Sequence, residues 1–175
     1  GLNFVMVAFG PELLKIMAPG SYYAAVWVIP PVTVSVYFMF LYNLFATFEY
    51  YYNKTRWVMY ASFIGAAVNI VLNAIFIPKF GFVAAGYTTF ACYVLYAFMH
   101  YLFMKKVCKI YLNERRIYRF EIIMLIGFLL IIGSVCMLLL YRYMLIRYAV
   151  LVAFAIAAFS LKDRIMDAFK ELKEK

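Results

Sequence analysis

The chain has 175 residues, 69% of them hydrophobic and 14% charged, with a formal net charge of +9 and a mean hydropathy of +0.90. Soluble domains carry roughly a quarter charged and about half apolar residues, and a chain this short lacks the interior to hide so much apolar surface. Composition thus excludes a water-soluble domain. The basic residues sit between apolar runs rather than along one polar face, which excludes a nucleic-acid surface and fits a lipid bilayer as the partner.

A spanning helix needs about 20 mostly apolar residues. A partial run ends near Ala18, closed by Pro19-Gly20, and five complete runs follow over 22–48, 57–77, 82–104, 120–141 and about 143–161. None alternates as an outer-membrane strand would. The expected fold is all-α, a polytopic transmembrane helix bundle. Its parts are a partial helix and three spans over 1–104, a basic loop over 105–119, two spans over 120–161 and an amphipathic tail over 162–175. The first run is already apolar at Gly1 and no cleavable signal peptide is visible, so the sequence is expected to be a fragment.

In the run 22–48, Pro30-Pro31 removes two backbone donors, which predicts a kink or local unwinding. Broken helices often border substrate sites in transporters. Below the prolines, Ser35, Tyr42 and Glu49 recur at steps of seven, with Asn43 and Thr47 one turn apart beside them. Ser35, Tyr42, Asn43 and Thr47 form the candidate substrate pathway. The alternative is an interfacial tyrosine belt, of which Tyr50-Tyr51-Tyr52 is the clearer example.

In the run 57–77, Ala61, Gly65, Asn69 and Asn73 follow at steps of four and share one face. Small residues let a neighbouring helix approach, and the amides need partners away from hydrocarbon. Helix packing outweighs substrate contact as the reading of this stripe. Pro78 is expected to stop the helix, Gly81 to take a positive φ, and Ala84-Ala85-Gly86 to let the next helix close into a hairpin.

The stretch 105–119 carries Lys105, Lys106, Lys109, Arg115, Arg116 and Arg119, read as topogenic charge or, less simply, as a site for anionic head groups. With the C-terminus inside, all but four of the 17 basic residues lie on the inner side, the four being Lys15, Lys79, Arg142 and Arg147. The positive-inside rule therefore places the C-terminus in the cytoplasm. In the tail, Ser160 and Asp163 make a plausible helix start, and Leu161, Ile165, Phe169 and Leu172 recur at helical spacing.

Three widely spaced cysteines (Cys92, Cys108, Cys136) have no metal or redox spacing and read as small apolar fillers. His100 lies near a helix end with no evident partner. Glu12, Glu49 and Glu121 fall near membrane boundaries. Nothing converges, so neither an enzyme, a metal site nor a cofactor is expected, and no mid-membrane charge is expected to couple an ion.

The stretch from Asn53-Lys54-Thr55-Arg56-Trp57 through Gly86 resembles the polysaccharide (O-antigen type) flippases of the multidrug/oligosaccharidyl-lipid/polysaccharide superfamily. The resemblance rests on a basic NKTRW loop, on GAAVNIVLNAIFIP with Asn69 and Asn73, and on Pro78, Gly81 and Gly86 in PKFGFVAAGYTT. PELLKIMAPGSYYAAVWVIP looks like that family's entry into its second bundle. The motif covers about a fifth of the chain. The resemblance implies the second bundle of a two-bundle MATE-like transporter in the bacterial inner membrane. It implies movement of an undecaprenyl-pyrophosphate-linked polysaccharide repeat unit in cell-surface polysaccharide or lipopolysaccharide biosynthesis. A polyprenyl-linked oligosaccharide would then be the substrate, other polysaccharide-assembly membrane proteins possible partners, and any pyrophosphate-binding cations would lie in the other half. The alternatives are a cation-coupled drug or metabolite antiporter of the same superfamily and a non-transporting membrane assembly subunit.

Overall fold

A computed structural model describes residues 2–113 and 117–160, and among these there are six α-helices and no strand. The helices are α1 (Leu2–Met17), α2 (Ile29–Tyr51), α3 (Thr55–Phe80), α4 (Val83–Tyr111), α5 (Phe120–Leu139) and α6 (Met144–Ser160), with 3-10 stretches at Gly20–Val28 and Leu140–Arg142. Arg115, Arg116 and the amphipathic tail over 162–175 lie outside the described residues.

Three helical segments are long and apolar enough to cross a membrane: Gly20–Tyr51, Thr55–Phe80 and Phe120–Arg142. This is the make-up of a helical membrane protein, with fewer full spans than the five runs read from sequence. The 29 residues of α4 have the length. Its tyrosines, threonines, His100 and lysines leave it less apolar than the other three. The apolar part of α6, Met144–Ala157, is shorter.

Local chemistry explains the joints. Pro30 and Pro31 fall in the first turn of α2, where a missing N–H breaks no helical bond. The backbone before them runs as a nine-residue 3-10 helix, Gly20–Val28. The prolines therefore stand where the backbone changes from 3-10 to α-helix. Pro78 does not stop α3, which continues to Phe80. A proline in the last turn costs one bond without unwinding the turns before it, and termination passes to Gly81, at φ 68° with its N–H on Ile77 O at 2.8 Å.

The basic stretch is also shorter than expected as a loop. Lys105, Lys106 and Lys109 lie on the last two turns of α4, which ends at Leu112 and Asn113 with φ 47°. Lysine is a good helix former, and cations favour the negative end of the helix dipole. Arg119 is the N-cap residue of α5.

α3 and α4 form an antiparallel hairpin in steady register. Trp57 meets Phe103, Gly65 meets Tyr96, Asn69 meets Cys92 and Asn73 meets Thr88. At Gly65 the approach leaves no room for a side chain, since a Cβ there would lie 2.3 Å from Tyr96 Cζ. Gly86 likewise faces Val28, whose Cγ1 would lie 2.6 Å from a Cβ.

The main core joins α2 and α4, through Val34, Phe38, Leu41 and Phe45 against Ala97, Met104 and Cys108. Tyr118 packs on Phe45 and Phe48 at one end of this core, and this burial pushes its hydroxyl pKa up. α5 is attached by Tyr37 Oη donating to Ile123 O at 2.8 Å. A second core joins Val7 and Ala8 of α1 to Met137 of α5. Many large apolar side chains, such as Phe63, Ile70, Phe128 and Ile156, stay exposed. In lipid their exposure costs little, so cohesion comes from close packing and interhelical hydrogen bonds.

Candidate functional site

A cleft of about 570 Å³ opens between α2, α3 and α4. Its α2 wall carries Tyr42, Asn43 and Tyr50, its α3 wall Ser62, Gly65 and Asn69, and its α4 wall Cys92, Tyr93, Tyr96 and His100. The hairpin register produces this wall. Tyr93, Tyr96, His100 and Phe103 follow at helical spacing along one face of α4, and the small residues of α3 leave room above their rings.

The rings form a continuous surface. Tyr42 lies 6.1 Å from Tyr93, 5.5 Å from Tyr96 and 5.7 Å from His100, centroid to centroid. Tyr96 is anchored by its hydroxyl, which donates to Ser62 O at 3.1 Å. Such offset aromatic contacts hold ring orientation better than shapeless apolar packing does.

A buried pair backs this surface. His100 Nδ1 lies 2.6 Å from Glu49 Oε1, and the side chains are 2% and 0% exposed. At this distance the two side chains share a hydrogen bond, in which an ionised carboxylate accepts from the imidazole N–H. It fixes the ring and leaves Nε2 as the other polar atom of the imidazole. Glu49 Oε2 has no hydrogen-bond partner among the described residues. An orphaned carboxylate oxygen is costly where water is scarce. His100 is thus the opposite of the unpartnered helix-end residue read from sequence, and Glu49, in the last turn of α2, is fully buried.

The four candidate pathway residues separate into two pairs. Tyr42 and Asn43 line the cleft. Ser35 is buried and donates to Pro31 O at 2.6 Å, and Thr47 donates to Asn43 O at 3.0 Å, outside the lining. Both hydroxyls satisfy the backbone of their own helix, as Ser and Thr do inside apolar helices.

The asparagine stripe links the hairpin. Thr88 Oγ1 lies 2.5 Å from Asn73 Oδ1, Asn73 Nδ2 donates to Asn69 Oδ1 at 3.0 Å, and Asn69 Nδ2 donates to Cys92 Sγ at 3.4 Å. The chain of amides is packing chemistry, with Asn69 alone also reaching the cleft.

A second charged pair holds the opposite side. Arg147 of α6, 1% exposed, donates through Nη2 to Glu12 Oε1 of α1. Its guanidinium also lies 5.7 Å from the Tyr141 ring centroid and 5.3 Å from that of Tyr148. Arg147 is therefore a buried packing element rather than a loop charge. Among the described residues no group of three or more His, Cys, Asp or Glu is placed to hold a metal ion. Comparison of the chain with family models, with curated proteins and with solved structures gives no match.

Proposed function

We propose that this chain forms part of the pathway that moves a lipid-linked oligosaccharide, a polysaccharide repeat unit on a polyprenyl pyrophosphate, across a bacterial cytoplasmic membrane. The observation that carries the reading is the cleft itself, an open furrow of stacked tyrosines with amides at its edge. Sugars present apolar C–H faces that lie on aromatic rings and hydroxyl rims that pair with amides, so this mixture of groups suits them. An open furrow also suits a ligand whose lipid tail must stay in the bilayer.

The distribution of charge supports an orientation. Lys54 and Arg56 at the α2–α3 turn lie at the same end of the bundle as the lysine-bearing end of α4, and by the positive-inside rule this end faces the cytoplasm. α6 runs back towards that side, which puts the C-terminus there too. Glu49 favours a second reading, a cation-coupled antiporter, because a buried carboxylate behind a transport cleft is a natural cation partner.

The test is complementation with the full-length gene in a strain that lacks its own O-antigen flippase. Surface polysaccharide should return, and should be lost again when Tyr42 and Asn43 are replaced by Leu. Stable, inserted protein with no surface glycan, together with efflux of small cations that depends on Glu49, would move the antiporter to first place.

A further inference from the structure

Tyrosines, Asn43, Asn69, Ser62, Thr89 and a clamped imidazole supply the polar groups of the cleft, and among the described residues no Lys, Arg, Asp or Glu is in its lining. Among the described residues His100 is the one lining side chain able to take a positive charge, and it is bound to Glu49. With the carboxylate ionised, the pair is neutral when the imidazole is protonated and singly negative when it is not. The described lining therefore offers no net positive charge. The nearby cation Lys54 packs over the Tyr111 ring at 5.6 Å and is not in the lining.

We infer that the cleft is a subsite for uncharged sugar residues, of the hydroxyl and N-acetyl type, and that it rejects acidic sugars such as hexuronic acids. The inference rests on the oligosaccharide reading for its substrate class. Tyr42, Tyr93 and Tyr96 form the platform for a sugar face. Asn43 uses Nδ2 to hold Met39 O at 2.8 Å, which leaves its Oδ1 as an acceptor for a hydroxyl or an amide N–H. His100 is also in the lining, with its ring orientation set by Glu49. A hexuronate meets no Lys or Arg among the described residues of this wall, and an ionised Glu49 behind the ring repels it further. An uncharged sugar of similar size meets neither penalty. Glu49 acts through His100 and is a positioning residue.

The experiment titrates the full-length protein in detergent with two disaccharides, di-N-acetylhexosamine and its counterpart with one residue replaced by a hexuronic acid, followed by calorimetry. The uncharged disaccharide should bind at least about tenfold more tightly, which is about 1.4 kcal/mol. Glu49→Gln keeps an acceptor for Nδ1–H and removes the charge, so it should narrow the ratio of the two affinities. Asn43→Leu, at an exposed position that does not threaten folding, should weaken the uncharged ligand. Equal or tighter binding of the uronate overturns the inference, as does an unchanged affinity in Asn43→Leu. Transbilayer movement of the lipid-linked forms, measured separately in vesicles, distinguishes the two failures. Movement of both at equal rates overturns the sugar selectivity and keeps the flippase reading. Preserved binding selectivity without movement of either does the reverse.

Discussion

The α2–α3–α4 side and the α1–α5–α6 side of the bundle each bury one acid–base pair, and they use it differently. Glu49–His100 stands behind an open aromatic cleft, with its imidazole in the lining. Glu12–Arg147 is held between α1 and α6 under the rings of Tyr141 and Tyr148. The first pair has its imidazole in the wall of a cleft, while the second joins two helices. A buried ionisable group in a membrane protein is therefore not functional by its charge alone. What it faces decides its role.

The largest stability effect should come from breaking the closed pair. Arg147→Leu leaves Glu12 without its cation and should destabilise the full-length protein by about 3–5 kcal/mol, read by denaturant titration in detergent. Adding Glu12→Leu should recover most of that loss, because two apolar side chains leave no stranded charge. No recovery in the double variant would mean that the pair does more than hold α1 to α6.

Next is the hairpin. Gly65→Leu drives a side chain into Tyr96 and should cost about 1–3 kcal/mol, while also disturbing the cleft wall. A smaller loss is expected for Asn73→Leu, about 0.6 kcal/mol, the average for interhelical hydrogen bonds in a membrane. Thermal unfolding of the two variants side by side checks the order. If Asn73→Leu were the more damaging, the amide chain rather than close packing would hold α3 to α4. Least of all, Ser35→Ala and Thr47→Ala should each change stability by no more than about 0.5 kcal/mol, because each hydroxyl only doubles a bond to its own helix.

Much of the closed architecture was legible in the sequence. Steps of four from Ala61 to Asn73 predicted a face for close helix packing, and Gly81 predicted the turn, because periodicity and glycine chemistry are local signals. The charged pairs were not legible. Glu49 and His100 are 51 residues apart, and Glu12 and Arg147 are 135 apart. Spacing reveals which residues share a helix face but not which faces meet. A partial signal did exist, since Glu49 continues the Ser35–Tyr42 step and His100 continues the Tyr93–Tyr96 face. The extent of α4 was misjudged for another reason. A run of lysines was read as the end of the membrane and hence of the helix, although a helix leaving a membrane need not stop there.

The most direct test of the cleft as the transport surface compares two double variants of the full-length protein in vesicles. Tyr42→Leu with Asn43→Leu strips the cleft, whereas Ser35→Ala with Thr47→Ala alters the same helix outside it. The measurement is the rate of transbilayer movement of a polyprenyl-pyrophosphate-linked oligosaccharide, with unfolding followed in parallel. The account predicts that the first variant loses at least about tenfold in rate, with unfolding unchanged, and that the second moves substrate like the unaltered protein. Full activity in the first, or loss confined to the second, would contradict it.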